Sequence, residues 1–284
     1  MDINTQTRCL GIIGNPLQHS LSPLLHNRTL RHLGLNYVYL PFEIDANQLK
    51  EAVNSIRSLG MAGINVTIPF KEAVIPYLDE LSPESRACSS VNVIVNQSGR
   101  LVGHNTDGAG FMQALQEHPP KKTESALLIG CGGAARAVAY QLAAGGFKRL
   151  ILLDIDFKRA QSLALFINRQ SDGLAVAIEM SQKAFEQNAN RTDLIVNCTP
   201  IGMFPDITNS PVTNLDAVEP GTVICDIIYN PRVTMLLNMA KTAGLPTVDG
   251  LSMFVNQAAL SLELWLGVKA PLEFMRGVAE NGLR

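Results

Sequence analysis

Two groups of residues in this chain have the types and the spacing for chemistry. The first is Gly130-Cys131-Gly132-Gly133-Ala134-Ala135, which fits G-x-G-x-x-G/A and stands directly after the apolar run Ser125 to Ile129. Between a strand and a helix, the first glycine of this pattern permits a tight turn and the second lets the backbone approach a pyrophosphate. A small third residue lets the helix pack closely, and the helix N-terminus meets the negative charge. Asp154 follows 24 positions after Gly130, at the end of the next apolar run. That is near the spacing of about 20 at which a carboxylate accepts a hydrogen bond from a ribose 2′-hydroxyl. The same carboxylate would repel a 2′-phosphate, so the pattern favours NAD. Lys158 and Arg159, within one helical turn, read first as a solvated helix N-terminal face, and as cations within reach of such a phosphate they leave NADP open.

The second group lies in the first 108 residues. It comprises Ser20-Leu21-Ser22, Asn65-Val66-Thr67-Ile68-Pro69-Phe70-Lys71, Asn92 and His104-Asn105-Thr106-Asp107-Gly108. Each cluster follows a strand signal or precedes a helix signal, and in an α/β layer such positions face the crevice at the end of the sheet. Hydroxyls, amides, one lysine and one aspartate together suit a small polyhydroxylated ligand. Taken singly, Ser22 and Thr106 also suit helix caps.

These residues need elements to position them. Cys9 to Ile13 reads as a strand closed by Gly14-Asn15-Pro16. Ser22 as N-cap and Pro23 at the first helical position open a helix that Gly34 ends. Asn36 to Ile44 is a strand, and Leu49, Val53, Ile56 and Leu59 recur at the spacing of one buried helix face. Ala62 to Pro69 is another strand, and the runs Val91 to Val95 and Leu101 to His104 flank Gln97-Ser98-Gly99-Arg100 as a hairpin. A helix runs from Asp107 to about Glu117, and Pro119 to Lys122 marks a junction. Ser125 to Ile129, the glycine turn with its helix to Gly145, and Leu150 to Leu153 form a βαβ unit, and a helix from about Phe157 to Asn168 follows. Leu194 to Cys198 and Val223 to Ile228 supply later strands of a parallel sheet. The last element is an apolar helix, Leu251 to Leu266, that carries Gln257.

The fold class is therefore α/β in two domains. An N-terminal α/β substrate domain with a mostly parallel sheet takes residues 1–107 plus 251–284, and a Rossmann-type doubly wound dinucleotide-binding domain takes 108–250. The cleft at their junction is expected to hold both ligands.

Composition excludes several alternatives. With 284 residues, 23 Lys plus Arg against 25 Asp plus Glu, and a formal charge of −2, there is no basic block to track a phosphate backbone, so no nucleic acid partner is expected. No apolar run approaches the roughly 20 residues of a membrane span, and Met1 to Cys9 lacks the regions of a signal peptide; the expectation is a cytoplasmic protein. Five cysteines at 9, 88, 131, 198 and 225, with no C-x-x-C spacing, read as reduced thiols, and five histidines without ligand spacing predict no metal. Oligomeric state, monomer or homodimer, does not follow from composition.

In order along the chain, these motifs resemble those of the shikimate dehydrogenase family, including the quinate/shikimate dehydrogenases. Ser20-Leu21-Ser22-Pro23 resembles S-x-S-P, Asn65 to Lys71 resembles N-V-T-x-P-x-K, Val91-Asn92 resembles A-V-N, and Asn105 to Gly108 is N-T-D-G. Gly130 to Ala134 resembles G-A-G-G-A, Asn197 to Gly202 resembles N-x-T-P-x-G, and Asp249-Gly250 followed by Gln257 resembles the C-terminal D-G-x-x-M-x-x-x-Q-A.

The resemblance implies reversible NAD(P)H-dependent reduction of 3-dehydroshikimate to shikimate, a step towards aromatic amino acids, with Lys71 and Asp107 as the acid–base pair. It implies that Ser20 and Ser22 bind the substrate carboxylate, and that Asn65, Thr67, Asn92, Asp107, Gln257 and Tyr229 hold the rest of the substrate with Lys71. Gly130, Cys131, Gly132, Gly133, Ala134, Asp154, Lys158, Arg159, Thr199, Ile227 and Gly250 are the implied cofactor positions. The chain departs from the family where NADP-dependent members carry N-R-T, having Asp154-Ile155-Asp156 instead; two acids replace the phosphate clamp, and NAD is the expectation. Cys131 replaces the usual alanine as a tolerated small side chain, with an oxidation-sensitive thiol beside the pyrophosphate as the second reading. NAD use also raises oxidation of quinate or shikimate as a catabolic role, although some quinate-preferring relatives carry threonine where this chain has Ser22. A non-enzymatic dinucleotide sensor is the reading of another class, and it predicts a broken catalytic pair.

Overall fold

In the computed structural model, which describes residues 3–170 and 173–283, the chain divides into two compact units. One is Met1–Asp107 with Val255–Arg284, and the other is Gly108–Phe254.

The first unit runs β1 (Arg8–Gly14), α1 (Ser22–His32), β2 (Tyr37–Glu43), α2 (Leu49–Ser58), β3 (Gly63–Val66), β4 (Glu80–Leu81), α3 (Pro83–Cys88), β5 (Val93–Gln97) and β6 (Arg100–His104). Its six-stranded sheet has the order β2-β1-β3-β5-β6-β4. The β1–β2, β1–β3 and β4–β6 pairs are parallel, while β5 is antiparallel to both β3 and β6. The central strands β1 and β3 are apolar along most of their length and buried on both faces, as sandwiched parallel strands must be. Leu49, Val53 and Ile56 form the buried face of α2. Ser98 and Gly99 both have positive φ, 55° and 96°, the two-residue turn that matches strand twist in a hairpin.

Local corrections follow from helix geometry. Ser22 is not the cap of α1 but its first residue; Leu21 occupies the cap position and makes no side-chain cap bond. Gly34, at a φ of +66°, follows the C-cap Leu33.

The second unit contains α4 (Asp107–Leu115, from its second residue), β7 (Ala126–Ile129), α5 (Gly133–Ala144), β8 (Leu150–Asp154), α6 (Phe157–Asn168), β9 (Ala175–Glu179), α7 (Gln182–Ala189), β10 (Leu194–Asn197), β11 (Val223–Asp226), α8 (Met235–Thr242) and β12 (Thr247–Val248). Every strand pair is parallel, in the order β12-β11-β10-β7-β8-β9. Numbered within the unit this is 6-5-4-1-2-3, the doubly wound order whose topological switch point falls between its first and fourth strands, here β7 and β10. Leu127, Ile129, Leu153, Ile195 and Ile224 point into one core and Leu128, Leu152, Val196 and Cys225 into the other, so both faces are covered.

The return to the first unit lies inside α9 (Gly250–Leu266), at Val255 rather than at residue 251. Met253 belongs to the core of the second unit and the Phe254 ring stacks on Tyr229 at 4.3 Å, which keeps the first turns of α9 there. Beyond the expected last helix lies α10 (Leu272–Gly282), which reaches α1 through a His32–Phe274 ring stack at 4.0 Å. No helix among the described residues is long and apolar enough to cross a membrane.

Candidate active site

Strand direction gathers the polar clusters of the first unit. β1 and β3 run parallel and end together; β5 is antiparallel to β3 and so begins at that end, with Val93 opposite Asn65. β6 reverses again and finishes there, with His104 opposite Val93. The segments after β1 and β3, the residue before β5 and the segment after β6 therefore share one end of the sheet. These carry Ser20 and Ser22, Thr67 and Lys71, Asn92, and Thr106 with Asp107.

At that end Lys71 Nζ donates to Asp107 Oδ2 at 2.6 Å, with side-chain exposures of 14% and 6%. Phe70, 2% exposed, anchors the turn before the lysine, and the Lys71 carbonyl accepts from the Val91 N–H at 2.8 Å. Asn92 Nδ2 donates to the other carboxylate oxygen, Asp107 Oδ1, at 2.9 Å, and Asn92 Oδ1 accepts from the Thr106 N–H at 2.8 Å. A charged pair that loses most of its water needs such additional hydrogen bonds to be tolerated.

Gln257 joins from α9. Its Oε1 accepts from Asn92 Nδ2 at 3.5 Å, and its carbonyl accepts from Thr106 Oγ1 at 3.1 Å. Ser20 Oγ accepts from the Ser22 N–H at 3.3 Å, which folds the two serines onto one turn. Because Ser22 is not the helix cap, its hydroxyl is not divided between a cap and a ligand. Thr67 is half-buried, its N–H donating to the Ile13 carbonyl at 2.9 Å. Its Cγ2 lies where a Cβ on Gly14 would be, at 2.3 Å, so β1 can close on Thr67 only with glycine there.

Asn65 stands apart from the other expected ligands. It is 6% exposed, and its Nδ2 donates to the Asn92 carbonyl (3.0 Å) and to Ser261 Oγ (3.3 Å), while its Oδ1 accepts from Tyr39 Oη at 2.7 Å. Both amide protons are committed to the interior. Tyr39 and Ser261 were not singled out in the sequence; the signal for Ser261 is its position one helical turn after Gln257, whose carbonyl its hydroxyl bonds at 2.8 Å. Tyr229 belongs to the second unit.

In the second unit the glycine loop sits at the switch point. Gly130 has a φ of +92°, and a Cβ there would lie 2.7 Å from Thr199 Cγ2 and 3.1 Å from the Cys198 carbonyl carbon. Thr199 is held by Asn197, whose Oδ1 accepts from the Thr199 N–H (3.0 Å) and Oγ1 (2.7 Å). A Cβ on Gly132 would meet nothing, so the open space at that glycine is not needed by the protein's own packing. Gly132 is also the N-cap of α5 and has no side chain to bond the first helical N–H groups. Bare backbone and a helix N-terminus at a switch point fit a dinucleotide pyrophosphate. Gly250 is a further required glycine, since a Cβ would meet the carbonyl oxygens of Ile228 and Ile227 at 2.4 and 2.5 Å.

Asp154 does more than the sequence indicated. It is only 9% exposed, its Oδ2 accepts from the Cys131 N–H (2.7 Å) and its Oδ1 from the Asp156 N–H (2.9 Å). The carboxylate ties the glycine loop to the end of β8, and only its remaining lone pairs are left for a ribose. Asp156 is the N-cap of α6, accepting from the Lys158 N–H at 3.1 Å, and Arg159 lies 3.7 Å from its carboxylate. Ile155 between them is 79% exposed. Lys158 also lines a cavity of about 300 Å³ with Arg136 and Arg169. The Cys131 thiol does not have the reactivity its place in the loop suggested. It is 5% exposed, and burial pushes its pKa up to about 12, which keeps it a protonated core thiol.

One α/β unit carries a glycine loop at the switch point of a doubly wound sheet, and the other a lysine–carboxylate pair among hydroxyls and amides. Together they define an NAD(P)-dependent oxidoreductase acting on a CH–OH group. Residues 12–94 match the shikimate dehydrogenase substrate binding domain, and residues 250–280 match the shikimate 5′-dehydrogenase C-terminal domain. A shikimate dehydrogenase (NADP+) of Syntrophomonas wolfei subsp. wolfei is 50% identical over 283 residues, covering 100% of this chain and 98% of that one. A crystal structure of a shikimate dehydrogenase in complex with NADP+ superposes with a TM-score of 0.91 at 34% identity, covering 100% of this chain and 98% of that one. The Listeria monocytogenes shikimate 5-dehydrogenase in complex with shikimate and NAD gives 0.89 at 32% identity, with 98% of each chain covered. This chain belongs to the shikimate dehydrogenase family.

Proposed function

We propose that this chain catalyses the reversible reduction of 3-dehydroshikimate to shikimate, with Lys71 and Asp107 as the acid–base pair. The observation that carries the reading is the Lys71–Asp107 contact at 2.6 Å, with Asn92 holding the second carboxylate oxygen. A sensor that had lost its chemistry would have no reason to keep that pair.

Reduction of a ring ketone needs a hydride at carbon and a proton at the oxygen. When bound, the dinucleotide supplies the hydride; Gly130, Gly132 and the N-terminus of α5 would hold its pyrophosphate, with Thr199, Ile227 and Gly250 nearby in the same unit. Lys71 holds the proton on Nζ and gives it to the developing alkoxide, and in the oxidation direction takes it back. Asp107 keeps the amine in place and accepts from a substrate hydroxyl. Ser20 and Ser22 bind the carboxylate through their hydroxyls, and Thr67, Asn92 and Gln257 hold the ring hydroxyls.

Within this reading we favour NAD. The end of β8 and the turn after it offer Asp154, Ile155 and Asp156, with no cation among the three to meet a 2′-phosphate. Lys158 and Arg136, beside that turn, support NADP as the second cofactor. Five free thiols suit a reducing cytoplasmic compartment.

Initial rates of shikimate and quinate oxidation, each with NAD and with NADP, test the proposal. Shikimate with NAD should give the highest kcat/KM. Preference for NADP would overturn the cofactor reading alone, preference for quinate the substrate reading, and no turnover with any pair the assignment of the reaction.

A further inference from the structure

A buried side-chain chain leads away from the catalytic carboxylate into the core of the first unit. Asp107 Oδ1 accepts from Asn92 Nδ2, the Asn92 carbonyl accepts from Asn65 Nδ2, and Asn65 Oδ1 accepts from Tyr39 Oη, at 2.9, 3.0 and 2.7 Å. Tyr39 is fully buried on β2; His26 stacks on its ring at 4.4 Å and 16°, and Trp265 lies tilted 6.1 Å away.

The polarity of this chain is fixed by chemistry. The Asn92 carbonyl can only accept, so the Asn65 atom facing it must be the nitrogen, and Asn65 Oδ1 must then face the phenol. The acceptor-only Asn92 carbonyl keeps the amide from turning over, and the phenol, donating to Oδ1, holds the amide in that orientation. A flipped Asn65 would place Oδ1 against the Asn92 carbonyl, two acceptors in a dry interior, a costly arrangement. His26 contributes shape and no polarity. Neither of its ring nitrogens has a hydrogen-bond partner among the described residues, and burial holds its pKa down to about 3, so a neutral ring packs against the phenol.

We infer that Tyr39 is a positioning residue for the reaction, and that Asn65 is the strut through which it acts rather than a substrate ligand. Tyr39 locks the Asn65 amide, Asn65 locks the start of β5 at Asn92, and Asn92 presents Asp107 to Lys71. This inference rests on the proposed function of the Lys71–Asp107 pair.

The test compares Tyr39→Phe, Asn65→Ala and the double variant. Tyr39→Phe keeps the ring that His26 and Trp265 pack against and removes only the donor. It should lower kcat/KM for shikimate about tenfold and leave the KM for the dinucleotide within about twofold. In the Asn65→Ala background the same change should cost less than about twofold, since its only route has been removed. Additive losses, or a Tyr39→Phe enzyme that matches wild type, would overturn the inference. A merely structural tyrosine would lower Tm and the active fraction without moving the shikimate KM, and that result also overturns it. Side-chain amide exchange by NMR supplies a readout independent of turnover: the Asn65 and Asn92 NH2 groups should be protected in wild type and lose protection in Tyr39→Phe. Protection present in wild type and lost in Tyr39→Phe, with a wild-type protein that turns nothing over, would leave the strut standing and the proposed function fallen. Wild-type turnover with unchanged protection in the variant would do the reverse.

Discussion

Lys71 and Asp107 are 36 positions apart and meet at 2.6 Å on one end of the first sheet, where the turn after β3 and the first residue of α4 come together. Replacing Lys71 with Ala should lower kcat by about 10²- to 10⁴-fold, the usual range for a proton-transfer group. It also leaves a nearly buried carboxylate without its cation, so Lys71→Ala should lower Tm as well. Near-normal kcat in steady-state assays of a folded Lys71→Ala enzyme would remove the lysine from the mechanism.

The two loop glycines should separate folding from binding. Gly130→Ala forces an L-residue to a φ of +92° and drives a Cβ to 2.7 Å from Thr199, costing about 1–3 kcal/mol of backbone strain before any clash. Thermal unfolding should register it as a loss of several degrees. Gly132→Ala meets no atom of the protein, so Tm should stay within about a degree of wild type while dinucleotide affinity falls at least tenfold. Isothermal titration with the dinucleotide checks the pair; equal affinities for wild type and Gly132→Ala would take the pyrophosphate away from this loop.

Ile155→Arg should move cofactor preference. The side chain is 79% exposed, so the fold bears the change without cost, and the new guanidinium stands between two carboxylates at the ribose end of β8. A rise of about tenfold in the NADP-to-NAD ratio of kcat/KM is the expected result, from one charge-assisted contact to a phosphate. An unchanged ratio would place the 2′ position elsewhere.

Asp226, 2% exposed at the end of β11, gives the second unit a pH dependence. Burial raises its pKa to about 6, against hydrogen bonds from Thr234, the Ile228 N–H and Asn197 that pull it down. A carboxyl raised from its ordinary 3.8 binds more protons folded than unfolded. Its contribution to stability is complete below pH 4, falls as pH rises towards 6, and is absent above. The window is worth on the order of 2–3 kcal/mol. Asp226→Asn keeps the shape and can still accept from Asn197 and Ile228. Denaturant melts across pH 4–7 should show the wild-type-minus-variant difference declining through this window, and a flat difference would contradict the raised pKa.

Much of this was legible in the chain itself, because its signals are local. A glycine turn after an apolar strand, a positive-φ pair between two alternating runs, and apolar residues at helical spacing each fit within a dozen residues, and backbone sterics decide them there. The ordered motifs carried the family resemblance for the same reason, and the lysine, the aspartate and the glycine loop could be named before any fold was known. Capping at Ser22 was misread by one residue, because a serine before a proline satisfies the local rule at two adjacent positions. The Asn65 amide and the double duty of Asp154 were not legible, and the inert Cys131 thiol was one of two readings of its place in the loop. Each depends on what lies across a strand register or under a packed layer: Tyr39 beside Asn65, the Cys131 N–H beside Asp154, a dry core around the thiol. Gln257 could be named from its motif, but its contact with Asn92 from 165 positions away could not. Sequence determines which groups are available and the turn each sits on. Which lone pairs and protons remain for a ligand is settled only when long-range packing removes water and pairs the rest, since a buried polar group takes whatever partner the tertiary structure brings within 3 Å.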